Sequence, residues 1–190
     1  SFGKFAGLDM IISRTGYTGE LGCEIYFRGG VDVATNVWNA IFEAGAEFGI
    51  EAIGLGARDT LRLEKGYCLY GNDIDNTTHP LEAGLGWITK LAKGDFNGKS
   101  VMEAAKAAGL TRKLVGFVMK AEKIIPRQHY KIMANGVEIG EVTSGNISPQ
   151  LNIGIGLGYV AMEYATPGSQ ISIFARNTEF PAEVVKIPFV

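Results

Sequence analysis

Cysteine and histidine are scarce, at two of each in 190 residues. Cys23 and Cys68 lie in strongly patterned segments and not in a spaced framework, so neither a disulfide scaffold nor a zinc or cluster motif can be built from them, and a reducing compartment is expected. His79 precedes a proline in a loop and His129 sits in a turn near Arg127; neither has a catalytic partner in sequence, and both read as surface or structural. Ser-His-Asp order, HExxH, Walker loop and CxxC are all missing, which leaves the common hydrolase, metalloprotease and NTPase readings without support. An excess of one charge sign is also lacking. Eighteen Lys and Arg face twenty Asp and Glu, with no run of five like charges, so neither nucleic acid nor a membrane surface is expected as a partner. The longest apolar stretches, such as residues 151–160, are broken by glycine and fall short of the ~20 residues a spanning helix needs. The chain begins Ser-Phe-Gly-Lys, without Met, a basic leader or an apolar targeting segment, and enters a strand within seven residues. The expectation is a fragment or processed product.

What is present is an ordinary globular composition, 46% hydrophobic with 26 glycines, which excludes disorder as the main reading. Residues 8–13 and 23–28 are β-rich runs flanking Arg14-Thr-Gly-Tyr-Thr-Gly-Glu-Leu-Gly22, a hairpin whose glycines supply turn geometry. Asp32 is expected to cap a helix from Val33 to about Phe48, with Val33, Val37, Ile41 and Phe48 in one apolar stripe and Gly49 as its stop. A second helix, from about Leu55 to Glu64, carries Arg58 and Arg62 on one face and stops at Gly66. A strand is expected near residues 84–91 and a short helix from Asn97 to Ala108. Six strands follow, near 114–120, 130–134, 137–143, 156–161, 170–175 and 180–187. They are punctuated by Asn135-Gly136, Ser148-Pro149 and Thr166-Pro167-Gly168, the pattern of a small barrel or sandwich. Gly154, Gly156 and Gly158 have the wrong spacing for a dinucleotide loop and read as close strand packing.

Two constellations could carry chemistry. The first is Tyr17 with Glu20 and Glu24. Alternation sets Glu24 opposite Cys23 and Ile25, so it is either an inward carboxylate that needs a hydrogen-bonding partner, such as a ligand, or a strand glutamate paired across the hairpin with Arg14. The second runs from Gly56 to Asn72: Arg58 and Arg62 offer planar donors for a carboxylate, and Tyr67 and Tyr70 offer faces for a flat ring. Taken alone, Arg62 and Glu64 read as solvated or mutually paired side chains.

Arg14-Thr-Gly-Tyr-Thr-Gly-Glu20 with Gly-Cys-Glu24, Gly54-Leu-Gly-Ala-Arg-Asp-Thr-Leu-Arg-Leu-Glu64 and Leu69-Tyr-Gly-Asn-Asp73 resemble the aminomethyltransferase (T-protein) family of the glycine cleavage system. The likeness continues through Thr143-Ser-Gly-Asn-Ile-Ser-Pro149, Gly158-Tyr-Val160 and Val185-Lys-Ile-Pro-Phe189, in family order over nearly the whole chain. The resemblance implies an α+β fold: the later part of a ferredoxin-like folate-binding region over residues 1–91, a connector with a short helix over 92–111, and a small C-terminal β-barrel over 112–190. It also implies a transferase of one-carbon metabolism and glycine catabolism, which takes the aminomethyl group from the lipoyl arm of the H-protein, releases ammonia and forms 5,10-methylenetetrahydrofolate.

By motif position the family's tetrahydrofolate contacts fall on Tyr17, Glu24, Arg58 and Tyr67, and no metal is implied. The family's catalytic aspartate falls upstream of Ser1, so no acid here inherits that role and this piece alone is expected not to turn over. The resemblance places the protein in the cytoplasm, or in the mitochondrial matrix of a eukaryote. Two relatives share parts of these motifs: the folate domains of dimethylglycine and sarcosine dehydrogenases, and a folate-binding accessory protein of iron–sulfur assembly and tRNA modification. The signature of the latter is Lys-Gly-Cys-Tyr, whereas this chain has Lys65-Gly-Tyr-Cys68.

Overall fold

The computed structural model describes residues 1–120 and 124–190. The chain divides into two compact units, Ser1–Leu61 and Arg62–Val190. The first contains strands β1 (Phe2–Phe5), β2 (Leu8–Ser13) and β3 (Glu24–Tyr26), paired antiparallel in that order, followed by helix α1 (Val31–Gly45). Helix α2 (Leu55–Glu64) begins in the first unit, and its last three residues belong to the second. The second unit continues through helix α3 (Lys99–Ala108) into six strands: β4 (Arg112–Met119), β5 (Lys131–Ala134), β6 (Val137–Ser148), β7 (Ile153–Ala161), β8 (Gln170–Ala175) and β9 (Thr178–Val185). The fold is α+β.

The strands close into a barrel in the order β4-β7-β6-β5-β8-β9, with β9 pairing back onto β4. All six expected strands are therefore present, and closure selects the barrel over the sandwich. Asn135 and Gly136 both adopt positive φ, 52° and 75°, the backbone that a two-residue β5–β6 hairpin turn demands. Phe117, Ile132, Val142, Val160 and Ile173 are fully buried at the centre of the core. The three β7 glycines are where strands crowd. A Cβ on Gly156 would stand 2.4 Å from the Phe117 ring, one on Gly154 2.7 Å from the Ile124 carbonyl oxygen, and one on Gly158 2.6 Å from Ile132 Cδ1. Close packing, and not a phosphate cradle, explains the triplet.

Several expectations give way. The segment 84–91 is a chain of turns and not a strand: Gly84 sits at φ 76°, and the N–H groups of Gly84, Ile88 and Thr89 each donate to the carbonyl three residues back, leaving no ladder to form. Asp32 does not cap α1; Gly30 holds the N-cap position without a side-chain bond, and Asp32 falls in the first turn, where its charge still favours the helix dipole. Helix α1 ends at Gly45 and tightens into a 3-10 turn, Ala46–Phe48, before Gly49 stops it at φ 69°. Strand β1 lies outside the runs singled out above. Of the α1 stripe only Val37 is buried, while Phe48 stays 80% exposed.

Candidate functional site

In the first unit, β2 and β3 bring Ser13 opposite Glu24, and the glycine-rich loop between them brings the Thr15 hydroxyl to the Glu24 carboxylate. Gly19 alone of the loop's three glycines takes a positive φ, 79°. Glu24 is neither an inward carboxylate in apolar surroundings nor the partner of Arg14. Its Oε2 accepts hydrogen bonds from the Thr15 hydroxyl and, at 3.0 Å, from the Tyr26 hydroxyl two residues along the same strand face. Its Oε1 takes no hydrogen bond among the described residues.

These bonds set its protonation. The Thr15 hydroxyl first, then Tyr26, holds the Glu24 carboxyl below the ordinary glutamate value; burial opposes them weakly, and the positive charge of Arg58 adds to the lowering. Glu24 is ionised at neutral pH. Arg58, on the exposed part of α2, lies with its guanidinium carbon 4.4 Å from the centre of the Tyr17 ring. Tyr17, Glu24 and Arg58 thus share one unit as a ring, an anion and a planar cation. Thr15 and Tyr26 escaped the sequence reading. The signal for Tyr26 was available, since residues i and i+2 of a strand share a face.

Tyr67 belongs to the second unit. Its N–H donates to the Arg62 carbonyl at 2.8 Å, its carbonyl accepts from Arg62 Nη1 at 3.2 Å, and the residue, 40% exposed, lies on the wall of a cleft. Beside it Cys68 is partly buried, and that burial pushes its thiol up to about 11, with the Asp73 carboxylate adding to the shift. It stays a neutral thiol at physiological pH.

Residues 1–93 match the model of the GCVT N-terminal domain, and residues 112–190 match that of the glycine cleavage T-protein C-terminal barrel domain. The chain belongs to the glycine cleavage T-protein family. It is 57% identical over 188 residues to an aminomethyltransferase of Halothermothrix orenii, an alignment covering 99% of this chain and 52% of that protein. It is 56% identical over 191 residues to an aminomethyltransferase of Porphyromonas gingivalis, covering 98% and 52%. The crystal structure of glycine cleavage system aminomethyltransferase T from Bartonella henselae superposes with a TM-score of 0.85 at 33% identity, over 94% of this chain and 49% of that one. The chain spans about half the length of the curated relatives it matches.

Three of the T-protein motifs converge in the second unit on one buried network. Arg62 and Asp73, 2% and 0% exposed, pair at 2.7 Å between Nη1 and Oδ2. Arg62 Nη2 donates to Ser144 Oγ at 2.9 Å, and Ser144 donates on to Asp73 Oδ2 at 2.9 Å. The Leu69 N–H and the Thr143 hydroxyl complete the shell around Asp73. Glu64, 1% exposed, accepts from the hydroxyl of Ser148 and, at 3.1 Å, from Gln150 Nε2. Arg62 and Glu64 are therefore neither solvated nor paired with each other, as the helix spacing alone had implied. They tie the end of α2 to strand β6 and the turn after it.

Proposed function

We propose that the protein is a tetrahydrofolate-dependent aminomethyltransferase of the glycine cleavage system, taking the aminomethyl group of the lipoylated H-protein, releasing ammonia and forming 5,10-methylenetetrahydrofolate. The observation that carries the folate part is the Glu24 carboxylate, held ionised with both its protein donors on Oε2. A pterin presents a ring N–H beside an exocyclic amino group, and an anionic acceptor with a vacant oxygen fits that donor edge. Tetrahydrofolate supplies the N5 nucleophile for the one-carbon unit. Glu24 orients the ring that bears it. Tyr17, with Arg58 stacked on its face, presents a flat cationic surface to an aromatic or carboxylate part of the ligand, and Tyr67 is the fourth folate contact. Holding the ring in place shortens the time the one-carbon electrophile spends exposed to water.

The residue limits 1–91, 92–111 and 112–190 are the proposed extents of folate region, connector and barrel. The compartment proposed is the cytoplasm, or the mitochondrial matrix of a eukaryote. No acid of this chain falls on the family's catalytic aspartate, so the 190 residues by themselves are proposed to bind folate weakly and to transfer nothing.

Titration calorimetry of the full-length protein with tetrahydrofolate tests the reading. Glu24→Gln swaps one acceptor for a donor that opposes the pterin edge, and it should weaken binding about thirty- to a hundredfold. Glu20→Gln, in the exposed loop, should change it less than threefold, with circular dichroism confirming that both variants fold. Equal small effects would remove Glu24 from the folate site.

A further inference from the structure

Three hydroxyls gather at the Glu24 carboxylate inside the first unit. Strand β3 supplies Tyr26, whose hydroxyl donates to Oε2 at 3.0 Å, and the loop before it supplies Thr15, whose hydroxyl bonds the same oxygen. Thr15 Oγ1 also lies 2.9 Å from the hydroxyl oxygen of Ser13, the β2 residue directly across the ladder from Glu24. One hydroxyl carries one proton, and a carboxylate is a stronger acceptor than another hydroxyl, so Thr15 gives its proton to Glu24 and takes one from Ser13. The result is a short relay, Ser13 to Thr15 to Oε2, ending on the oxygen already held by Tyr26. Thr15 is exposed and Tyr26 is 52% exposed, and hydrogen bonds so open to water add little to the stability of a fold. What they fix is direction. Two donors fill the acceptor positions of Oε2 and stop the carboxylate from turning, which leaves the acceptor positions of Oε1 to a ligand.

We propose that Ser13, Thr15 and Tyr26 are positioning residues for the folate-orienting carboxylate: they pin Glu24 through Oε2, so that Oε1 meets the ring N–H and amino donors of the pterin in a fixed direction. This role rests on the folate reading above, and it adds three residues that act through Glu24 and not on the ligand. A freely turning carboxylate would swing to water or to any nearby donor, whereas a pinned one accepts only from a ligand whose donors lie on the Oε1 side. The same hydroxyls favour the charged carboxylate, with Tyr26 of its own strand and Arg58 of α2 as the titratable and charged groups that act on it.

The test is calorimetry of the full-length protein with tetrahydrofolate, with circular dichroism confirming that each variant folds. Thr15→Val and Tyr26→Phe should each weaken binding about three- to tenfold, the scale of one hydrogen bond. Thr15→Ser, which keeps the hydroxyl, should restore it, and Ser13→Ala, one bond further out, should cost less than about threefold. Thr18→Val, in the same loop but with its hydroxyl oxygen on the Glu20 N–H, should change nothing. In a Glu24→Gln background, Thr15→Val and Tyr26→Phe should have no further effect. The carboxyl carbon resonance of Glu24, identified by its loss in Glu24→Gln, should titrate at higher pH in both single variants, because each removes a donor that holds the carboxylate charged. A purely structural role would leave that midpoint in place. If Glu24→Gln weakens binding and the hydroxyl variants do not, or if the midpoint stays put, the positioning role falls and the folate reading stands. If Glu24→Gln itself leaves binding unchanged, both fall. Further loss from Tyr26→Phe in the Glu24→Gln background would make Tyr26 a ligand contact and remove it from the set.

Discussion

At the scale of single residues, the polar groups that matter are defined by their donors. Asp73 has four donors on its carboxylate and lies fully buried beside Arg62. Asp73→Asn would leave the buried guanidinium without its counter-charge, and it should destabilise the protein by about 3–5 kcal/mol in urea unfolding. Cys68 makes a second test. With its thiol held near 11, its thiolate fraction at pH 8 is roughly a hundredfold below that of an ordinary cysteine. Exposed Cys23 should therefore take up iodoacetamide at pH 8 while Cys68 lags far behind, catching up only as the pH approaches 11; mass-spectrometric labelling rates read this directly. None of this was legible from spacing. Arg62 and Glu64 look like an ordinary charged helix end, because Ser144 and Ser148 lie more than eighty positions away and Asp73, the charge partner of Arg62, stands eleven residues on, beyond the end of the helix. Glu24 was legible as a candidate, but its support by Thr15 was not, since that depends on how the glycine loop folds back.

At the scale of elements, β-rich composition and turn chemistry were enough for the barrel strands: β5 and β8 alternate between a buried and a more exposed face, while β4 and β7 are near-continuous buried runs. The glycine-spaced run 84–91 imitates a strand by composition alone. Its backbone is satisfied by local turns, and its neighbour, the 79–82 turn, is instead tied to β4 through side chains. His79 N–H donates to Glu82 Oε1 at 3.1 Å, and Arg112 Nε donates to Glu82 Oε2 at 2.9 Å while its guanidinium lies over the Tyr159 ring. Burial pushes the Glu82 carboxyl up, but Arg112 and the His79 N–H outweigh it and leave it below the ordinary value. A carboxylate lowered on folding contributes stability above its unfolded pKa of about 4.3 and loses it as the pH falls through the folded value. Thermal melts from pH 6 to pH 3 should then show Glu82→Gln less stable at pH 6 and converging on the parent near pH 3. Strand β7 gives the packing counterpart. Gly156→Ala drives a methyl into the Phe117 ring and should cost about 1–3 kcal/mol, and Phe117→Leu in the same chain should recover part of that loss, a coupling a double-mutant cycle measures.

Across the whole molecule, burial is uneven. Met10 and Val37 are the only buried apolar side chains of the first unit among the described residues, whereas the second unit holds two core clusters, one of which takes in Leu63 at the end of α2. Hydrogen exchange of the 190-residue chain should reflect this, with the amides of Phe117, Val142, Val160 and Ile173 exchanging last and those of β1 and β3 first. Uniform protection across both units would contradict that ordering. Closure of the barrel bears on more than stability. Each of its six strands already has a neighbour on either side, so the ring offers no template to which another chain could add a strand. Among the described residues, the strand borders still open to another chain are those of β1 and β3. The three residues of β3 and the Lys4 charge on β1 keep those two borders short and poorly adhesive.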